Sequence, residues 1–423
     1  MYAMYTYPRL RLQPEFLMAF PFKDPLFAAQ WLRAAGHASA GGADLGECLA
    51  AGRAIGEPDA ESWRSAWLSL ADRLAARAEA SLSAGHRESA HAAFLRASNY
   101  YRTAYTFLIG PGPDPRLIDA YRRQSRTFAQ ALAARPGSGE PIAMPFEGKT
   151  IRGYFFPAPG DEPHPTLVLT GGYDSTAEEA YFYSGPAALA RGYNVVCYDG
   201  PGQGGALIED GMVFRPDWET VVAPVIDFLK RRIEVDPQRV AQLGLSFGGY
   251  LAPRAASANP SLAACIADPG QYSLLEEAKT RLPAFFARQL PDGSPFLLEA
   301  LDKLMRARLK HPTRGWTIRR GLWTHGVERP IEYLRLTQNY TLEGKAQLIA
   351  CPTLVCAAED DHIGATATKL FERLVCPKAF ERFKSRDGAG AHCESGARGL
   401  FNQSAFDWLD ETLAGERANR RAA

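Results

Sequence analysis

The spacing of hydrophobic positions changes once along this chain, and the change divides it. From the N-terminus to about residue 138, apolar side chains recur at steps of three and four, which is helical spacing. ESWRSAWLSLADRLAARAEASLSAG carries one such face, with Gly85 as its stop. SAHAAFLRASNYYRTAYTFL and RLIDAYRRQSRTFAQALAA repeat it, so the spacing predicts consecutive amphipathic helices without strands. RPGSGEP, residues 135–141, breaks the pattern and marks a domain boundary.

Beyond the break, IAMPFEGKTIRGYFFPAP is expected to form a β-hairpin turning at Glu147-Gly148. Short apolar runs then alternate with helical ones. TLVLT (166–170), YNVVCYD (193–199), RVAQLGLS, ACIAD, IACPTLVCAAED and AFERFKS have the character of strands. AEEAYFYSGPAALARG, DWETVVAPVIDFLKRR and LAPRAASA have that of helices between them. Such alternation predicts an α/β fold, a mostly parallel sheet with helices on both faces. One interval departs from it. From about 270 to 346 the chain is rich in aromatic and long apolar residues, mainly in helical spacing, as in LLEALDKLMRARL. That is far longer than an ordinary loop, and a helical lid over the carboxyl ends of the strands explains it. The expected organisation is a helical domain over 1–138 and an α/β domain over 139–423 with the lid inserted.

Composition narrows the classes. The chain has 423 residues, 46% apolar and 22% charged, which favours neither disorder nor a membrane class. A net charge of +1 without a broad basic stretch gives no footing for nucleic acid. The short basic tail ERANRRAA is expected to be a solvated end. No run approaches the ~20 apolar residues of a bilayer span. MYAMYTYPRLRLQPEF lacks the apolar centre and cleavage pattern of a leader, so a soluble cytoplasmic protein is expected. Seven scattered cysteines suggest no disulfide framework, and Cys351 and Cys356, flanking a strand, are expected as core thiols.

Chemistry enters at LGLSFGGY, residues 243–250. Gly244-Leu245-Ser246-Phe247-Gly248 lies where a strand ends and a helix begins. A sharp turn there strains the serine backbone, and flanking glycines avoid collisions. The helix start adds free N–H groups and a positive dipole end, where an oxyanion would form. Ser246 is therefore a candidate nucleophile, which needs a base and an orienting acid, following in the order Ser, Asp, His. Of eight histidines only His362 and His392 lie beyond the late strand, and His362 directly follows the candidate acids. His392, on the glycine-rich loop DGAGAHCESG, is the expected base. Glu359, Asp360 and Asp361 follow the strand end, with Asp361 the expected acid and Asp360 its rival. The loop Gly171-Gly172-Tyr173-Asp174-Ser175 is expected to offer the Tyr173 or Gly172 amide beside that of Phe247. DGPGQGGA, residues 199–206, lacks the spacing and lysine of a phosphate loop and is expected to be a turn packed beside the nucleophile.

With these residues in hand, the chain resembles the α/β-hydrolases. More narrowly, it is similar to the group holding 2,6-dihydropseudooxynicotine hydrolase, the fungal yellowish-green pigment hydrolases that shorten polyketides, and the FrsA-like proteins. The resemblance is carried by Ser98-Asn99-Tyr100-Tyr101-Arg102, GGYDS, YDGPGQG, GLSFGGY, GLWTHGVERPIEYL and GAGAHCESGARGLFNQSAFDWLDE. It implies the same Ser246, Asp361 and His392. It also implies a further glutamate, Glu276 or Glu277, that assists catalysis, and an N-terminal helical cap that helps build a homodimer. Tyr100, Tyr101, Trp323 and His325 are then candidate pocket walls. The implied activity is serine-dependent cleavage of an acyl group from a small-molecule carbonyl substrate, at a C–C, ester or thioester bond, needing no metal or organic cofactor. Acyl transfer or cyclisation by the same triad, and a non-catalytic FrsA-like binding protein, are the alternatives.

Overall fold

The protein's structure, a computed structural model, describes residues 21–422, with side chains to residue 414. The N-terminal stretch MYAMYTYPRLRLQPEF and the side chains of the tail from Glu416 lie outside the described residues. Among the described residues five α-helices come first: α1 (Pro25–Gly36), α2 (Leu45–Arg53), α3 (Ala60–Ser83), α4 (Arg87–Ala104) and α5 (Pro115–Ala134). Four of them begin at an aspartate, Asp24, Asp44, Asp59 and Asp114, whose carboxylate accepts from first-turn amides. Pro25 and Pro115 occupy the first helical turn, where a missing N–H costs nothing. Trp63, Trp67, Phe27 and Tyr100 fill the space between these helices and are fully buried.

The hairpin follows as β1 (Glu140–Phe146) and β2 (Lys149–Phe156), turning at the expected Glu147-Gly148. The alternation then runs β3 (His164–Thr170), α6 (Ala177–Ala190), β4 (Asn194–Asp199), α7 (Gly204–Ile208), α8 (Trp218–Leu229), β5 (Val235–Leu245), α9 (Gly248–Ala256) and β6 (Ala264–Asp268). Five helices interrupt it, α10 (Leu274–Thr280), α11 (Ala284–Ala287), α12 (Pro295–Arg308), α13 (Trp316–His325) and α14 (Pro330–Leu336). It closes with β7 (Thr353–Ala358), α15 (Ala367–Arg373), β8 (Lys378–Phe383) and α16 (Arg398–Ala422).

The eight strands form one sheet in the order β1-β2-β4-β3-β5-β6-β7-β8. The hairpin and the β2–β4 contact are antiparallel, and every other pairing is parallel. Side chains alternate between two cores: Val168 and Val196 face one, and Leu167, Leu169, Val195 and Cys197 the other. Covering both faces is what makes β4, β6 and β7 apolar along nearly their whole length. Strand β5 starts earlier than its sequence suggests. A register shift lets Val235 pair with His164 before the ladder resumes at Thr166 and Val240, and the polar residues between hide the strand. Cys351 and Cys356 are both buried. Among the described residues no helix is long and apolar enough to cross a membrane.

Candidate active site

The end of β5 delivers Ser246 into a turn that only a few residue types tolerate. Its φ is 59°, in the left-handed region that disfavours a side chain. The Ser246 amide donates to the Asp268 carbonyl at 2.7 Å, and the Ser246 carbonyl accepts from Gly249 at 2.9 Å. The flanking glycines are required, but by the backbone rather than by the serine itself. A Cβ on Gly244 would run into the Gly248 carbonyl, and one on Gly248 into that of Thr170.

Asp361 follows β7 and His392 follows β8, the two strands beyond β6. His392 Nε2 lies 2.8 Å from Ser246 Oγ, and its Nδ1 lies 2.6 Å from Asp361 Oδ2. Asp361 Oδ1 accepts from the Ile363 amide at 2.9 Å, which fixes the carboxylate. Burial acts to raise the Asp361 carboxyl. The charge and hydrogen bond of His392 outweigh it and hold the group below the usual aspartate range. Asp360, the rival, is exposed and accepts from Ser385 Oγ at 2.5 Å. His362 is exposed on the same loop. The structure thus joins Ser246, His392 and Asp361 in one hydrogen-bonded line.

Opposite the serine, the loop after β3 packs directly on the turn. A Cβ on Gly172 would stand 2.6 Å from the Phe247 nitrogen and 2.7 Å from Ser246 Cβ, so only glycine allows this approach. Among the described residues, the amides of Gly172, Tyr173 and Phe247 donate to no protein acceptor. The Tyr173 ring stacks on Phe247 with centroids 4.7 Å apart. Two supports of this loop have no local signal in the sequence. Gln203, from the DGPGQGGA turn, donates from Nε2 to the Gly171 carbonyl at 2.5 Å. Asp174, at φ 49°, is clamped by Arg33 of α1, Arg102 of α4 and Arg320 of α13, each at 2.7 Å. Burial alone would raise the Asp174 carboxyl, but the three guanidinium groups lower it.

The pocket candidates separate. Tyr100 and Tyr101 belong to the core of the N-terminal helices and do not form pocket walls. The Tyr100 hydroxyl donates to Glu47 at 2.9 Å and that of Tyr101 to Asp72 at 2.6 Å, because α4 turns these rings toward α2 and α3. Trp323 faces a small cavity shared with Tyr105, Ile109 and Asp174. His325 does reach the loop, with Nε2 2.5 Å from the Tyr173 hydroxyl and Nδ1 3.1 Å from that of Tyr340. Burial lowers its pKa to about 3, so it stays neutral.

Of the two glutamates, Glu276 is half-exposed and pairs with Lys369 at 2.5 Å. Glu277 is 1% exposed; its Oε1 accepts from Thr366 Oγ1 at 2.8 Å, and its Oε2 has no partner. Burial raises its pKa to about 8, and the nearby Asp361 charge adds to this. Burial thus favours the neutral acid form of Glu277, and Oε2 is the oxygen without a protein partner.

Comparisons with known proteins agree with this architecture. Residues 166–398 match the family described as the alpha/beta hydrolase family. The chain is 34% identical over 427 residues to hydrolase acrC of Aspergillus aculeatus, covering 92% of this chain and 97% of that one. It is also 34% identical to the 20-hydroxy-prefusarin hydrolase of Gibberella moniliformis over 417 residues, covering 94% and 98%. A crystal structure of 2,6-dihydroxy-pseudo-oxynicotine hydrolase shares the fold, with a TM-score of 0.71 at 22% identity, covering 90% of this chain and 96% of that one. The chain therefore belongs to the alpha/beta hydrolase family and is a hydrolytic enzyme.

Proposed function

We propose that this hydrolase works through Ser246, His392 and Asp361, and that it cleaves a C–C bond of a β-diketone, polyketide-like substrate. The observation that carries the reading is the unbroken line from Asp361 Oδ2 through His392 to Ser246 Oγ, at 2.6 and 2.8 Å. His392 takes the hydroxyl proton as Ser246 Oγ attacks a ketone carbon, and Asp361 orients the imidazole and stabilises its charge. The free amide of Phe247, with that of Tyr173 or Gly172, receives the oxyanion. Collapse breaks the C–C bond, releases an enolate and leaves the acyl group on Ser246. His392 returns its proton to the leaving carbon, then activates water to release the acid.

An enolate is a poorer leaving group than an alkoxide and needs its own stabilisation. We assign that role to Glu277, whose neutral carboxyl would donate to the second carbonyl of the diketone as it becomes the enolate. The name of the 20-hydroxy-prefusarin hydrolase supports a natural-product substrate of this kind. In this reading residues 1–138 form a cap and dimerisation unit, and the helices of about 270–346 form the lid. The test is product analysis with β-diketone, thioester and ester panels in oxygen-18 water. The reading expects turnover of diketones with one labelled oxygen in the acid. Turnover of esters or thioesters alone would contradict the C–C assignment, and unlabelled acid would point to transfer or cyclisation.

A further inference from the structure

Behind the His392 loop lies a buried charged cluster that the acyl chemistry does not use. Asp268 ends β6, Glu394 follows His392 by two residues, and Arg398 opens α16; their exposures are 0%, 0% and 4%. Arg398 Nη1 donates to Asp268 Oδ2 at 3.0 Å, and to Glu394 Oε2 and the Cys393 carbonyl at 3.1 Å each. Its Nη2 donates to Ser184 Oγ of α6 at 3.0 Å, and the guanidinium lies 3.8 Å from the Phe401 ring centroid. Two carboxyl groups thus share one fixed cation. Each keeps a buried oxygen, Asp268 Oδ1 and Glu394 Oε1, that no protein donor reaches. A single proton held between the two carboxyl groups would give these oxygens a partner. Were both ionised, the cluster would bury a net negative charge and set two acceptors face to face. One retained proton removes both problems.

The cluster also touches the backbone on both sides of the reaction. The Asp268 carbonyl accepts from the Ser246 amide at 2.7 Å and from Cys393 Sγ at 3.6 Å. Cys393 and Glu394 hold left-handed φ values of 49° and 44°, unfavourable for residues with a Cβ. Something must hold that turn, and Arg398 on the Cys393 carbonyl and the Glu394 carboxyl does so.

We propose that Asp268 and Glu394 retain one proton between them, and that the Asp268–Glu394–Arg398 unit is the positioning element holding the His392 loop against the nucleophile turn. The positioning half rests on the roles proposed for Ser246 and His392; the proton does not. The groups facing Glu394 are Asp268 from β6, Arg398 from α16 and Asp361 from the loop after β7. Burial is the largest influence raising Glu394, and the Asp268 charge adds to it against Arg398. Burial raises Asp268 as well, so the proton belongs to the pair.

Glu394→Gln separates the possibilities, because a carboxamide copies the shape and donor of the neutral acid but cannot ionise. E394Q and E394A are compared with wild type in the rate of fluorophosphonate labelling and in chemical unfolding from pH 5 to 9 (assay range about 4 units). Labelling in E394Q stays within about threefold of wild type, while E394A falls about 100-fold, the effect of a misplacement of about 1 Å. The folded-state value lies above the unfolded value, so the folded chain holds one proton more between them and stability declines as pH rises. Wild type should therefore lose up to about tenfold in folding constant per pH unit relative to E394Q across that window. Parallel unfolding curves, an E394Q that fails to fold, or an E394Q as slow to label as E394A would each overturn the proposal. A wild type that does not label at all would defeat the serine assignment, and the unfolding comparison would still decide the proton.

Discussion

A single methyl group on Gly172 addresses the proposed oxyanion site with little else disturbed. In Gly172→Ala the new carbon would stand 2.6 Å from the Phe247 nitrogen, 2.7 Å from Ser246 Cβ and 2.9 Å from the Leu245 carbonyl oxygen. Two of these three neighbours are backbone atoms of the nucleophile turn, so no flexible side chain can swing away. To reach ordinary contact, near 3.4 Å, the loop and the turn must part by about 0.8 Å. An oxyanion donor acts over about 2.7–3.1 Å, so a displacement of that size takes one donor out of range. The loss is about 3 kcal/mol, or about 100- to 1,000-fold in rate. Overpacking costs a further 1–3 kcal/mol or so of global stability, which a thermal melt reads separately. The assay is the second-order rate of fluorophosphonate labelling, with Gly399→Ala as control because a Cβ there meets nothing within 4 Å. A folded G172A that labels within about threefold of wild type would refute the placement of the donors.

Three further outcomes are expected. Asp174→Asn removes the charge that three arginines share and should destabilise the fold by about 3–5 kcal/mol in urea unfolding. Because the folded Asp174 value lies below the usual one, that contribution is present above the ordinary aspartate range and fades as pH falls through it. Glu277→Gln should slow diketone cleavage more than fluorophosphonate labelling. In wild type the diketone rate should decline as pH rises through about 8, where Glu277 loses its proton, and stability relative to E277Q should decline from about 4.5 to about 8. Asp361→Asn leaves the geometry but favours the wrong imidazole tautomer, and steady-state turnover should fall about 10⁴-fold.

The parts of this fold that could be read early are those with local signals. The Gly244–Gly248 turn, the strand-and-helix alternation and the Asp361 position each depend on neighbours within a few residues. Asp361 is preferred over Asp360 because it stands three residues after the small Ala358 that ends β7. The residues missed depend on long-range contacts. Nothing near Glu394 in sequence shows that Asp268, on β6, stands beside it, because that pairing is made by the order of strands in the sheet. Asp174 gives no sign of the three arginines that reach it from α1, α4 and α13. The family resemblance puts Tyr100 and Tyr101 near substrate because it sets the active site between cap, lid and sheet. Which face of a helix turns inward is settled by packing, and here α3 takes both rings. Glu276 and Glu277 illustrate the same limit: adjacent positions on α10 point about 100° apart, so one is solvated and the other buried.

The most direct test of the account is the intact mass and peptide map of the protein after fluorophosphonate treatment. A single adduct on the peptide carrying Ser246, absent from Ser246→Ala and greatly slowed in His392→Ala, is the predicted result. An adduct on any other residue, or equal labelling of the Ser246→Ala chain, would contradict it.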